Sequence, residues 1–377
     1  MTWCLVGSEM CIRDSIYTGD IIAMYSSPSY DPNKFLFGIS NDDWALIRNN
    51  PLKPLVNKTL SGLYSPGSTI KPIVALSALE NKIVSPSFKV KCTGKMELYG
   101  QTFHCWKEKG HGFVSLKNAM KQSCDTYFYE VARLLGVDRL NVTAEKFGLG
   151  KKVLGDYFDF EKSGLFPNTK WKKNNLGKGW VLGETLITGI GQGYTQTTPL
   201  QLCLMTAQIA NGGYSIKPRI IVDNNPMPLE EIKRKLKEET LHTQEKKLFN
   251  DPRNIKIVQE AMFSSTNELY GTSYKSRIDD PKYQFAGKTG TAQVKRISMR
   301  ERELDLKIEQ IPYKDRDHAL YIAYGPYINP RYALSIIVEH GGSGSRTAAP
   351  IAKELFKLII DRNDLRNKQK NFEEIKI

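Results

Sequence analysis

No stretch of about twenty apolar residues occurs in this sequence, so nothing in it is expected to span a membrane. Internal repeats and low-complexity tracts are absent too, which sets aside solenoid and linker-like architectures. The opening stretch, "MTWCLVGSEMCIRDS", lacks a basic n-region, an apolar h-region and a small-residue cleavage site. It therefore does not read as a signal peptide. It reads as a junction fused to an incomplete chain, and residues 1–15, with Cys4 and Cys11, are expected to stand apart from the fold. The native chain is expected to start within the strand of "IYTGDIIAMYSSPSYDP". Net charge is +14, but the basic residues are scattered, with no long basic run interleaved with aromatics. The charge is read as solvated faces, and no nucleic-acid partner is expected.

What is present is enough for a large core. The chain has 377 residues, 40% of them hydrophobic and 25% charged, room for one big domain or two smaller ones. Residues 116–136 carry helical spacing and end in Gly136. Residues 198–213 read as a helix with Pro199 at its start and glycines at its end. Residues 146–180, rich in Gly, Lys and Asn, read as surface loop, and 226–249 as an exposed charged helix. "QFAGKTGTAQV" reads as a strand, and "RISMRERELDLKIEQIPYKDRD" as a charged insertion. "ALYIAYGPY" and "RYALSIIVEH" read as an antiparallel pair, and "APIAKELFKLII" as a closing helix. Strands at both ends with helices between predict an α+β fold, an antiparallel sheet with a helical part inserted.

Three short motifs stand out. In "YSPGSTIKP", Pro66-Gly67 signals a turn and an apolar helix follows. Residues three apart share a helix face, so Ser68 and Lys71 lie side by side at a buried helix start. A desolvated lysine gives up its proton readily and can take that of a serine hydroxyl. The plain alternative is a cap serine and a lysine that snorkels to water. "SCD" adds Ser123, a hydroxyl suited to proton relay, beside Cys124 and Asp125; alone it reads as a helix cap. "GKTGT" offers a cation at Lys288 and hydroxyls at Thr289 and Thr291, with Gly290 allowing close backbone approach. Alone it reads as a bulged strand.

Their order and spacing together mark the penicillin-recognising serine acyl-enzymes. With "PSYDPNKFLFGIS", "GIGQGYTQTTPLQL" and "VEHGGSGSRTAAPIAKEL", the chain resembles the transpeptidase domain of the penicillin-binding protein 2 family. These are the class B, elongation-specific D,D-transpeptidases of bacterial cell-wall synthesis. The resemblance runs from about Ile16 to Ile360 and implies the penicillin-binding-protein/β-lactamase-like fold. It divides the chain into the leader at 1–15, a transpeptidase domain at 16–361, truncated at its N-terminal strand, and a charged tail at 362–377.

The resemblance further implies that Ser68 attacks the penultimate D-alanine carbonyl of a stem peptide, that Lys71, kept neutral by burial, is its base, and that Ser123 relays a proton. The backbone N–H groups of Ser68 and Thr291 would form the oxyanion hole. Lys288, Thr289, Gly290 and Thr291 would hold the terminal carboxylate, with Asp125 either orienting the Ser123 loop or capping its helix. Gly191–Gly193 resembles the family's glycine-rich loop and is given no chemistry. β-Lactams would trap Ser68. No catalytic cofactor is implied. The implied partners are peptidoglycan stem peptides and a glycosyltransferase of the elongation complex, and the implied site is the periplasmic face of the inner membrane. A β-lactamase would share the motifs but needs a deacylating group, and none identifies itself. A β-lactam sensor would acylate without cross-linking. A septal class B enzyme is the nearer rival; Asp125 and "EHGGSGS" favour the elongation type.

Cys92, Cys105, His111 and Cys124 follow a C-x12-C-x5-H-x12-C spacing. Three cysteines and a histidine are a common structural zinc set. The resemblance places Cys92 and Cys105 where relatives carry aspartates at a zinc site. A Cys92–Cys105 disulfide, plain core cysteines, and His104 in place of a ligand are the alternatives.

Overall fold

The computed structural model describes residues 2–6, 15–220, 247–295 and 308–374, with isolated positions between 231 and 238. The charged helix expected at 226–249 and much of the charged insertion lie outside the described residues. Five strands form the main sheet: β1 (Thr2–Val6), β2 (Ile21–Ser26), β7 (Ala286–Ala292), β8 (His318–Gly325) and β9 (Tyr332–Val338). Their order is β2-β1-β9-β8-β7, and every neighbouring pair is antiparallel. Four short strands, β3 (Lys89–Cys92), β4 (Lys95–Leu98), β5 (Gln101–His104) and β6 (Gly112–Ser115), pair as β3-β6 and β4-β5 beside the helices.

The helices are α1 (Ser15–Thr18), α2 (Asn41–Arg48), α3 (Lys58–Ser61), α4 (Lys71–Glu80), α5 (Leu116–Lys121), α6 (Asp125–Leu135), α7 (Val137–Lys146), α8 (Thr169–Leu176), α9 (Leu182–Gly189), α10 (Pro199–Ala210), α11 (Pro252–Asn267) and α12 (Ala349–Glu374). Most lie between β2 and β7, as the α+β reading expects.

Side chains alternate across a strand, and both faces of the sheet are covered. Leu320, Ile322 and Tyr324 of β8 join the core built with α4, α10 and α11. Ala319, Tyr321 and Ala323 pack instead with Phe285 and with Phe356 of α12. That double burial explains why β8 and β9 read as near-continuous apolar runs. α4 is buried from Lys71 through Leu79, as a helix apolar on all sides must be.

Four sequence expectations change. Residues 116–136 break into α5 and α6 at Ser123. Cys124 N–H donates to Ala119 C=O at 2.9 Å and Ser123 N–H to Met120 C=O at 3.2 Å, the paired bonds of a Schellman ending. Ser123 holds the left-handed position, φ 54°, that glycine usually takes. Within 146–180, α8 forms because Asn168 Oδ1 caps it, accepting from Trp171 N–H at 2.7 Å. Thr2–Val6, set aside with the leader, runs as β1 between β2 and β9, where it pairs backbone groups on both neighbours. The charged tail is backbone-continuous with α12 as far as Glu374.

A buried polar cluster sits where β8 begins. Tyr64 donates to Glu339 at 2.9 Å, and Lys58 Nζ pairs with the same carboxylate at 2.6 Å. The His318 ring meets Tyr64 edge-on at 5.5 Å and His340 at 4.8 Å. Burial, and then His340, push His318 down to about 4, against the pull of Glu339. Its folded value therefore lies below the unfolded one, near 6.5. The folded protein binds fewer protons in that window, so stability should fall as pH drops from about 6.5 toward 4 and level off below. His318→Gln should flatten that part of a urea-midpoint profile; parallel profiles for variant and parent would refute the assignment.

Candidate active site

Ser68 lies on a 3-10 turn, Gly67–Ile70, that feeds directly into α4. Sequence spacing expects it on the helix itself; the tighter turn sets it just ahead of Lys71. Three backbone segments meet there. Gly67 N–H donates to Gly191 C=O at 2.9 Å. A Cβ on Gly67, already at φ 53°, would come within 2.5 Å of Thr291 O, and one on Gly191 within 2.2 Å of Gly67 O. Only glycine fits such contacts. Gln192 Nε2 donates to Thr291 C=O at 3.1 Å and completes the clasp.

A strand residue's N–H and C=O point to the same edge. β7 is an edge strand, paired on its other side to β8. Because Thr291 C=O faces Gly67 and Gln192, its N–H also faces the Ser68 turn. The Ser68 side chain is half-buried there, and Thr291 is exposed.

Behind this turn lie two fully buried amines. Lys71 Nζ is 2.7 Å from Asp125 Oδ1 and donates to Ser123 C=O at 3.0 Å and Ser123 Oγ at 3.2 Å. Lys288 Nζ donates to the same Oγ at 2.8 Å and to Thr289 C=O at 3.0 Å. Burial holds the Lys288 amine well below its ordinary range, Lys71's charge adds to this, and Asp125 opposes it. Ser123 Oγ thus accepts from both lysines, which leaves its own proton free to be donated outward. Such an arrangement can move a proton between an amine and a leaving group.

The second Asp125 oxygen accepts from Trp106 N–H at 3.0 Å. Both carboxylate oxygens are therefore engaged within the protein. Thr289 Oγ1 donates to Thr272 Oγ1 at 2.9 Å. Gly290 lies against Thr69 and Pro66, where a Cβ would meet Thr69 Cγ2 at 2.7 Å. Trp106, Thr272 and Gln192 were not singled out from sequence. Trp106 Nε1 also donates to Ser123 C=O at 3.1 Å, yet no spacing rule marks a lone exposed tryptophan.

Cys92, Cys105, His111 and Cys124 present ligand atoms that all lie within 4.8 Å of one another. No disulfide joins them, and His111 rather than His104 stands with the sulfurs. His111 Nδ1 is 3.5 Å from Cys92 Sγ and 3.6 Å from Cys105 Sγ. Tetrahedral zinc with bonds of roughly 2.0–2.3 Å separates its ligand atoms by about 3.5–3.8 Å, so these residues fit the ion. A Cys124 hydrogen bond draws the Cys105 thiol well below the usual thiol range, helped by His111 and opposed by burial. The same contact and burial push Cys124 up. The cluster touches the Ser123–Asp125 loop: Asp125 N–H points at Cys105 Sγ, 3.4 Å away.

A family model described as the penicillin binding protein transpeptidase domain matches residues 15–357. The peptidoglycan D,D-transpeptidase MrdA of Salmonella typhimurium is 36% identical over 349 residues, 92% of this chain and 54% of that protein. MrdA of Escherichia coli K12 is 34% identical over 351 residues, covering 91% and 52%. The chain thus spans about half the length of these curated relatives. Pseudomonas aeruginosa PBP2, solved with WCK 5153, superposes with a TM-score of 0.76 at 38% identity over 93% of this chain and 69% of that one. Helicobacter pylori PBP2, solved in complex with MreC, gives 0.77 at 29% identity, covering 98% and 60%. The motifs first read from spacing therefore sit in a sheet and helix arrangement shared with PBP2 structures, and the chain belongs to the penicillin-binding-protein transpeptidase family.

Proposed function

We propose that this chain carries out the D,D-transpeptidation that cross-links peptidoglycan during cell elongation. The observation that carries this reading is Ser123 Oγ held between Lys71 and Lys288, at 3.2 and 2.8 Å, behind the Ser68 turn. Ser68 Oγ attacks the carbonyl of the penultimate D-alanine of a stem pentapeptide, and Lys71 takes its proton after passing one of its own across the 2.7 Å contact to Asp125. The Thr291 and Ser68 N–H groups face the oxyanion. The peptide C–N bond breaks, and Ser123 hands a proton to the departing D-alanine amine. Lys288 and the Thr289–Thr291 strand give the stem's terminal carboxylate a cationic, hydroxyl-bearing edge. An acceptor amine then displaces Ser68 and forms the 4→3 link. β-Lactams enter by the same acylation and stay.

Asp125 serves as a positioning residue, since its two oxygens hold Lys71 and the Trp106 loop. The periplasmic face of the inner membrane suits this substrate, with a glycosyltransferase of the elongation complex as partner. No helix among the described residues is long and apolar enough to cross a membrane. Cys92, Cys105, His111 and Cys124 would hold a structural zinc that ties β3 and the loop after β5 to the start of α6.

Ser68→Ala should abolish labelling by a fluorescent penicillin with little change in melting temperature; peptide mapping that finds the label on Ser123 would overturn the roles. Lys71→Arg keeps the charge but not the proton transfer, since arginine does not deprotonate. Its acylation should slow by about a hundredfold or more, within the range expected of general-base loss, and a rate within a few-fold of the parent would remove Lys71 as base. Elemental analysis of protein purified without added metal should find about one zinc per chain, and a strong chelator should lower the melting temperature, because structural zinc contributes folding energy. Metal-free protein with unchanged melting would leave the cluster as plain core cysteines.

A further inference from the structure

Residues 170–180 carry Lys170, Lys172, Lys173 and Lys178 with Trp171 and Trp180, and the fold sets a third ring, Tyr194, against them. α8 begins at its Asn168 cap and ends at Gly177, φ 63°. Trp171 packs on Tyr194 with ring centroids 5.2 Å apart, and Trp180 closes on the same ring at 6.5 Å. Lys172 is buried, its Nζ 2.5 and 2.7 Å from the two oxygens of Glu184 and 5.8 Å from the Trp180 ring. Glu184 also accepts from Val181 N–H at 3.0 Å and Tyr194 OH at 3.4 Å. Trp180 Nε1 donates to Thr185 Oγ1 at 2.8 Å. The rings are thus fixed by internal polar bonds.

What this frame leaves outward is specific. Tyr194 keeps 36% of its surface exposed. Lys170, Lys173 and Lys178 are exposed and, among the described residues, form no ion pair. A packed mini-core would bury Tyr194 and would have no need of three unneutralised cations around it. The frame is also tied to the reacting centre. Tyr194 stands two residues beyond Gln192, which holds Thr291 C=O at 3.1 Å, and three beyond Gly191, which accepts from Gly67 N–H at 2.9 Å.

We propose that Trp171, Trp180 and Tyr194, with Lys170, Lys173 and Lys178, form the docking surface for the acceptor, a second peptidoglycan strand. The proposal rests on the transpeptidase reading and adds to it the place where the second substrate binds. Stem peptides carry free carboxylates, which complement the unpaired lysines, and their apolar faces lie on the rings, which present large area at low entropic cost. The strand so held brings its side-chain amine to the acyl-enzyme carbonyl. A new C–N bond forms, the C–Oγ bond to Ser68 breaks, and the amine's proton returns to Ser68 Oγ through the base.

Two readouts on the same protein separate the outcomes: acylation by a fluorescent penicillin, which needs only the donor site, and cross-linking of glycan strands that bear pentapeptide stems. A variant with Lys170→Glu, Lys173→Glu and Lys178→Glu together should label within about twofold of the parent yet cross-link about tenfold less, and Tyr194→Ala should behave likewise. Parental cross-linking should also fall more steeply with added salt than the variant's, since exposed charges are screened within about 8–10 Å at ordinary ionic strength. Parental cross-linking by the triple variant, or equal loss of labelling and cross-linking, would overturn the docking surface. A parent that does not label at all would overturn the transpeptidase reading, and this proposal with it.

Discussion

Two buried lysine amines converge on one hydroxyl, with one carboxylate held against the first of them, and the rest of the site follows from that arrangement. Removing a charge from water costs several kcal/mol even after relaxation. Asp125 can offset one of the two lysines, and Lys71 at 2.7 Å takes that place. Lys288 responds by holding its proton weakly. An anion bound beside Lys288 would favour its protonated form, so the site gains positive character where negative charge enters. Every neighbour then has a task. Ser123 holds the left-handed backbone, at a cost of about 1–2 kcal/mol, and from there its Oγ reaches both amines. Trp106 fixes the far oxygen of Asp125 and the carbonyl of Ser123.

How much of this was legible in the sequence depends on the range of each interaction. Ser68 and Lys71 could be paired because they are three residues apart, and a helical spacing is a local fact. β8 and β9 were readable because double burial writes long apolar runs, whereas β7 was read from its small-residue motif. The break at Ser123 was not, since a serine there gives none of the warning a glycine would. α8 was hidden by its lysines and asparagines; its cap and its packing onto Tyr194 form it, not an apolar stripe. β3 to β6 are too short to show alternation. The glycine-rich loop had no assigned role until the fold brought Gly191 onto Gly67. The cysteine set could be proposed from residue chemistry, but the choice of His111 over His104 needed the loop in space.

The cysteine cluster and the Ser123–Asp125 loop share their backbone. Cys124 lies between Ser123 and Asp125, and Cys105 precedes Trp106. Whatever fixes the sulfurs therefore also fixes the path of the chain through Ser123 and Asp125. The ordering of the small strands β3–β6 in this sense supports the cluster of Lys71, Ser123, Asp125 and Lys288, although none of their own side chains enters it.

The clasp of Gly67, Gly191 and Thr291 has a consequence for how the protein can change. Its walls at that point are peptide groups, pressed together at distances that exclude any side chain. Replacement of the three residues cannot remove those atoms; it can only push the segments apart, and the Ser68 turn with them. A compound that binds through these amides is held by a surface without alleles, so adaptation against it must come from the rim, from loops such as the one around Trp106 or the helix of Trp171, where side chains are free to vary.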